Sequence, residues 1–424
     1  MASDDYRDYI LPPDTFRIQA ARGVDPKTYT ERMLSNEKGA KLRDEWQAAL
    51  DEPFQGVTPD GEVEHGLFDL EDEGFDVAPA VAAAEAFLET LDEAQRKQVG
   101  YPVDAPEWRG WYNPEIQFND NGVRLENMSE GSRQAFLKLL QAFTSEKGFT
   151  KIRRLMDANH FLGELYDLNN IMNRWSYHVL MFGEPSTTKP WGWSLYGHHA
   201  AICCFVVGRQ LVISPTFMGV EPKHIDRGDG EAFTLLTGEE SLGLALMQSL
   251  SPTLRERATI YRLMEDPAMP DWRFNFADQR HLGGACQDNR VIPLEGIRAS
   301  ELDRSQRAKL MQVIETFLEF LPDGPRAARM RLVESHLDDT WWNWIGGCGD
   351  DDVFYYRIQS PVIMIEFDHH SGMWLGNEEP AKFHIHTITR IPNGNDYGKA
   401  LLDQFQKHCG CGVHGPDREP GQAG

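Results

Sequence analysis

Trp191 through Ala200-Ala201-Ile202-Cys203-Cys204-Phe205-Val206-Val207, then Gly208-Arg209-Gln210, then Leu211-Val212-Ile213-Ser214, reads as two strands joined by a tight turn, and the reading of the fold starts from this hairpin. A second sheet-like stretch lies far downstream. It runs from Val353 to Arg357, breaks at Ser360-Pro361, resumes over Val362–Asp368, turns near Ser371-Gly372 and returns over Phe383–Ile391, the pattern of a meander. Between and around the two stretches the periodicity is helical. Val81, Ala84, Phe87, Leu88 and Leu91 recur at helical spacing from Ala78 onward, and helices are expected near Leu242–Leu250, Thr253–Met264, Ser305–Phe320 and Gly398–Lys407. Strands and helices in separate blocks predict an α+β fold, with antiparallel or mixed sheet segments surrounded by helices.

A local signal recurs four times: Leu91-Asp92-Glu93-Ala94-Gln95-Arg96, Met128-Ser129-Glu130-Gly131-Ser132-Arg133, Leu250-Ser251-Pro252-Thr253-Leu254-Arg255 and Leu302-Asp303-Arg304-Ser305-Gln306-Arg307. Each places Asp or Ser ahead of an amphipathic run, where its side chain accepts from the orphan N–H groups of a helix start. The spacing is too irregular for a solenoid; ordinary helix starts and an internal duplication both account for it. Ahead of this body, residues 1–75 are polar, acidic and broken by Pro and Gly, with one helix expected over Tyr29–Leu50, and read as an appendage. The expected organisation is an N-terminal extension (1–75), an α+β body (76–407) and a disordered tail (408–424). That tail contains Cys409-Gly-Cys411 with His408 and His414 beside it.

Composition excludes several classes. The 42 Lys and Arg against 66 Asp and Glu give 424 residues a net charge of −24, which repels a nucleic-acid backbone and an anionic membrane surface alike. No apolar run reaches the roughly 18–20 residues of a membrane span, and the start, MASDDYRDYI, lacks the basic and apolar regions of a signal peptide. Six Cys in so long a chain are no disulfide framework, which points to a reducing, cytoplasmic setting. The chain also lacks GxGxxG, phosphate-loop, GxSxG and HExxH motifs.

Histidine is what remains. Of fourteen, two tight groups lie on expected strands: His198-His199 after Gly197, and His384-Ile385-His386. Residues two apart on a strand face the same side, so His384 and His386 converge on one ion. Adjacent His198 and His199 are expected to point to opposite faces, so that one joins the site; His198 is taken as the ligand and His199 as the catalytic, substrate-facing residue. Glu366 sits in the apolar run Val362–Phe367, where a carboxylate is costly unless paired or bound to a cation, and is a fourth candidate ligand. His369-His370, beside a turn, read as exposed loop residues. Arg357 and Arg390 are candidates to hold a substrate carboxylate, or else to pair with Glu366. Trp191, Trp193 and Tyr196, with Trp341, Trp342, Trp344, Tyr355 and Tyr356, suggest either an apolar pocket near these ligands or a Trp-rich core.

Taken together, Trp191-Gly192-Trp193-Ser194-Leu195-Tyr196-Gly197-His198-His199, Ser214-Pro215-Thr216-Phe217-Met218-Gly219, Tyr356-Arg357-Ile358-Gln359-Ser360-Pro361 with Glu366, and His384-Ile385-His386-Thr387 followed by Arg390 and Asn395-Asp396-Tyr397-Gly398 resemble the domain-of-unknown-function family numbered 3500. The resemblance covers roughly residues 80–407 and implies that both His segments belong to one domain, with no reaction or metal attached. The acidic N-terminal extension and Gly346-Gly347-Cys348-Gly349 depart from the family pattern.

The expectation is a metal-dependent enzyme acting on a small organic molecule, with a divalent Fe, Mn, Zn or Cu ion on His384, His386, His198 and Glu366. Oxidative chemistry is preferred over zinc-dependent hydrolysis. The competing classes are a non-catalytic ligand- or partner-binding protein and metal-free acid–base catalysis by the same histidines.

Overall fold

The computed structural model describes residues 5–226, 232–275 and 277–409. Three short helices lead the chain: α1 (Phe16–Ala21), α2 (Pro26–Leu34) and α3 (Glu37–Asp51). The single helix expected over Tyr29–Leu50 is therefore divided. Asn36 accepts from the Gly39 N–H and caps α3, a side-chain bond that offers the backbone an alternative to a continuous helix. Asp25 caps α2 in the same way, with Pro26 in its first turn. These helices pack on the body: Ile18, Ala21 and Tyr29 share a buried cluster with Leu162, Tyr166 and Trp374.

From there the element order runs twice. The first pass is α4 (Val77–Glu89), α5 (Glu93–Val99), β1 (Gly100–Tyr101), β2 (Val123–Arg124), α6 (Glu130–Phe143), α7 (Glu146–Tyr166) and a meander of β3 (Tyr177–Phe182), β4 (Trp191–Gly197), β5 (Ala200–Val207) and β6 (Gln210–Val220). After a small hairpin, β7 (His224–Ile225) and β8 (Phe233–Thr234), the second pass is α8 (Thr237–Ser249), α9 (Pro252–Ala258), β9 (Thr259–Tyr261), β10 (Ile297–Arg298), α10 (Arg304–Leu318) and α11 (Asp323–Ser335). Its meander is β11 (Trp341–Gly346), β12 (Phe354–Gln359), β13 (Met364–His369) and β14 (Ile385–Arg390), and α12 (Lys399–Cys409) closes the described chain. The pairings repeat as well. β1 lies parallel and β2 antiparallel to β3, as β9 lies parallel and β10 antiparallel to β11.

This arrangement supports the internal duplication over a chance recurrence of helix starts. The four recurring signals cap α5, α6, α9 and α10, which are corresponding helices of the two passes. Corresponding arginines do the same work: Arg133 donates to the carbonyls of Leu125 and Glu126, and Arg307 to those of Ser300 and Leu302. Pro106-Glu107-Trp108-Arg109 likewise has its counterpart in Pro270-Asp271-Trp272-Arg273, each at a single-turn helix.

The two meanders join through their last strands, β6 against β14, into one sheet in the order β1-β3-β4-β5-β6-β14-β13-β12-β11-β10, with β2 and β9 alongside; it counts twelve strands among the described residues. The protein is thus α+β, with helices around a mixed sheet. The helix expected over Thr253–Met264 stops at Ala258 because the next three residues pair with β11. Trp191 and Trp193 pack edge-on against Phe143, and Trp342 and Trp344 stack on Tyr356, so these indoles build core. No helix among the described residues is long and apolar enough to cross a membrane. The expected disordered tail lies, from residue 410 on, outside the described residues.

A candidate metal centre where the two meanders meet

The seam between β6 and β14 brings the histidines together. His386 on β14 faces Gly219 on β6, and Gly219 donates its N–H to the carbonyl of His199, at the turn between β4 and β5. The imidazoles of His199 and His386 therefore reach toward each other across a strand with no side chain between them. A Cβ at residue 219 would lie 2.9 Å from Cδ2 of His386 and 3.2 Å from Cδ2 of His199. A glycine inside a strand often marks such a close approach. His384, two residues before His386, comes from the same side. Its Nε2 is 3.0 Å from Nε2 of His386, which is 3.2 Å from Nε2 of His199.

Hydrogen bonding cannot satisfy this trio. Each ring nitrogen carries either a proton or a lone pair, so Nε2 of His386 answers one neighbour and leaves the other opposed to it. A cation answers all three. Metal–nitrogen distances of about 2.0–2.1 Å place nitrogens about 2.9 Å apart on an octahedron edge and about 3.4 Å apart on a tetrahedron edge, which brackets the two contacts of His386; all three ligand atoms lie within 4.8 Å of one another. Burial, reinforced by mutual repulsion, pushes His199 and His386 well below the usual imidazole range, and burial lowers His384. Neutral imidazole is the ligating form. The buried group His199, His384 and His386 could hold a metal ion.

Its surroundings fit that use. Glu221 Oε1 lies 3.8 Å from Nδ1 of His384, and its carboxylate is held by the backbone N–H groups of Met373, Trp374 and Leu375. At that distance no hydrogen bond forms and Nδ1 of His384 has no partner, so the carboxylate acts on the ring through its charge alone, which favours a cation on the far side. His370 packs its ring 4.0 Å from that of His386, with Nε2 buried and without a partner. His281 is buried further off, 6.2 Å from His386 between ring centroids.

His199, not His198, enters the group of three. Strand alternation does not apply to them because both sit in the turn, where His199 has a φ of 119°. Positive φ in a non-glycine residue is strained and is often found at functional sites. The two rings stack 3.8 Å apart, so both point the same way; His199 enters the trio, and His198 bonds Asn159 Oδ1 at 2.9 Å through Nδ1. Asn159 is oriented by donating to Asn173 and Ser176.

Other expected site residues stand elsewhere. Glu366 is not brought to the trio: its carboxylate accepts from the N–H groups of Leu282 and Gly283 and from the Tyr355 hydroxyl, which explains how the apolar run tolerates it. Arg357 donates to Glu295 and to the Pro293 carbonyl. Arg390 is enclosed by Asp288, Asp396 and the carbonyls of Gly283 and Gly284. Neither arginine lines the cavity at the trio. His369 and His370, read as exposed, are buried because the segment from Ala381 to His384 bonds over them. Gly219 lies beyond Ser214, where the expected strand ends, and its signal in the sequence was its place in the Ser214–Gly219 segment that carries the family resemblance; Glu221, Asn159 and His370 come from separate segments with no spacing to announce them.

A cavity of about 290 Å³ opens on His198, His199, His370 and His386. Its other walls are aliphatic, not aromatic: Met33, Leu34, Leu42, Pro114, Ile116 and Met373. Arg17 and Glu115 also line it. None of the Trp residues singled out from the sequence does.

No curated protein and no solved structure matches this chain. A family described as "Protein of unknown function (DUF3500)" matches residues 73–399, a range that holds both meanders, the three histidines and Gly219. Since that range is most of the chain, the protein belongs to the DUF3500 family.

Proposed function

We propose that this protein is a metal-dependent enzyme that acts on a small organic molecule seated in the cavity beside His199 and His386, with one divalent ion held by His199, His384 and His386. The observation that carries the reading is the convergence of three buried Nε2 atoms at 3.0 and 3.2 Å, which no hydrogen-bond scheme satisfies. A bound redox-active ion, iron, manganese or copper, would supply electron transfer to or from the substrate, whereas zinc would supply a water of lowered pKa.

Oxidative chemistry is the better reading, because hydrolysis needs a base near the ion, and both Glu366 and the cavity-lining Glu115 are engaged. Glu366 is bound to Leu282, Gly283 and Tyr355, and Glu115 to Arg17 and Tyr29. Hydrolysis keeps support from one feature, the unpartnered Nε2 of His370. In either case the chain's own residues do defined work. The Glu221 charge faces His384, Asn159 fixes His198 beneath His199, and the aliphatic walls give the reacting end apolar surroundings.

Elemental mass spectrometry of the purified protein and of His384→Ala tests the proposal. Near-stoichiometric iron, manganese or copper that disappears in the variant supports oxidation, and zinc supports hydrolysis. No metal after reconstitution overturns both and leaves a binding protein or acid–base catalysis.

A further inference from the structure

The family match begins at residue 73, yet one wall of the cavity comes from before it: Arg17 on α1, Met33 and Leu34 on α2, and Asn36, Gly39 and Leu42 at and within α3. We propose that α1–α3 are the specificity wall of the site and that Arg17 anchors the carboxylate of a compact, otherwise apolar organic acid whose far end meets His199 and His386. This deepens the metal-dependent reading and rests on it.

Size comes first. An apolar cavity of about 150 Å³ holds one benzene, so 290 Å³ accommodates a ligand of roughly a dozen non-hydrogen atoms. The aliphatic lining favours a hydrocarbon or aromatic body. Asn36 and Asn113, with the histidines, are the neutral polar groups on the wall, and Lys38 lines it as a mostly exposed side chain.

Arg17 is the partly buried cation of the wall. Its side chain is 18% exposed and meets Glu115 through Nη1 at 2.7 Å, while the Tyr29 hydroxyl donates to the same carboxylate oxygen at 2.6 Å. Glu115 is met through Nη1 alone, not bidentately, with Tyr29 beside it, so the Glu115 contact leaves part of the donor fork for a second carboxylate. The ring of Trp374 supports the cation at 5.5 Å.

Charge balance points the same way. Three neutral imidazoles leave the double charge of an ion facing Glu221 alone, since Glu115 is matched by Arg17. The loaded site is then net positive, and an anionic ligand restores neutrality where a neutral or cationic one does not.

Calorimetric titration of the full chain with 3-phenylpropanoate and 2-naphthoate, against their neutral amides, tests this on metal-free and metal-loaded protein. The proposal expects the acids to bind about tenfold or more tightly than the amides. Arg17→Leu should remove that preference, Arg17→Lys should keep part of it, and Leu42→Trp, which fills the cavity from its outer side, should abolish binding of acid and amide alike. Equal affinity for acid and amide, no binding of either acid, or unchanged acid binding in a folded Arg17→Leu variant overturns it. An acid preference that depends on Arg17 in protein that takes up no metal keeps the anchor and refutes the metal reading; metal uptake without acid preference does the reverse.

Discussion

A methyl group at position 219 would press on two rings that have little room to retreat, since His370 backs His386 at 4.0 Å and His198 backs His199 at 3.8 Å. Gly219→Ala is therefore expected to part the imidazoles and weaken metal binding by about a hundredfold or more while the sheet persists, as a chelator-competition titration beside a circular dichroism melt will show. Glu221→Gln removes the negative charge behind His384 yet keeps an acceptor for the Met373–Leu375 backbone, so affinity should fall by about 10–100-fold in the same titration. Some of this was legible residue by residue. His-x-His on a strand implies convergence from the period of two alone. The choice between His198 and His199 was not, because alternation fails in a turn, and the apolar run around Glu366 signalled burial without telling a metal from backbone N–H donors.

Elements carry the next level of the argument. Arg390 leaves β14 and is clasped by Asp288 and Asp396, and Asp288 also receives Arg109, which caps the α3 carbonyls of Ala49, Leu50 and Glu52, and the Tyr397 hydroxyl. One buried knot thus ties the cavity wall to the central seam. Breaking a buried pair from one side leaves charges uncompensated, so Arg390→Ala should cost about 3–5 kcal/mol in urea unfolding while the refolded or residual native fraction still binds metal. A substrate-binding arginine would show the opposite pattern. The second meander and the β5–β6 hairpin of the first were legible because apolar runs bounded by Gly and Pro are local signals, whereas β3 was missed and β4 was run together with β5. The pairing of β6 with β14 was not, being a contact between segments far apart in the chain with no mark in either. The helix starts did carry the duplication, and it took the repeated pairings of β1 and β9 to separate it from ordinary capping.

For the whole molecule, acidity and burial combine into a pH dependence. Asp278 is buried near Glu366, and desolvation together with that neighbour raises its carboxyl to about 7. A folded-state value above the unfolded one, about 3.9, means the native protein holds the extra proton; the stability this confers is full below about pH 4 and is lost as pH rises through 7. The buried neutral imidazoles, lowered in the folded state, act in the opposite sense and make stability rise with pH up to about 6.5, so the Asp278 contribution is read as a difference: thermal melts from pH 5 to 8 should show Asp278→Asn gaining on the wild type as pH rises and melting higher than it at pH 8. A difference between Asp278→Asn and wild type that stays constant over this window would place the proton elsewhere. The net charge of −24 adds self-repulsion in the same direction as Asp278. The central claim concerns one ion in one place, and anomalous scattering from a crystal of the metal-loaded protein addresses it most directly. The account predicts a single strong peak about 2.0–2.2 Å from Nε2 of His199, His384 and His386; a map with no peak there, while the three rings remain in mutual contact, would contradict it.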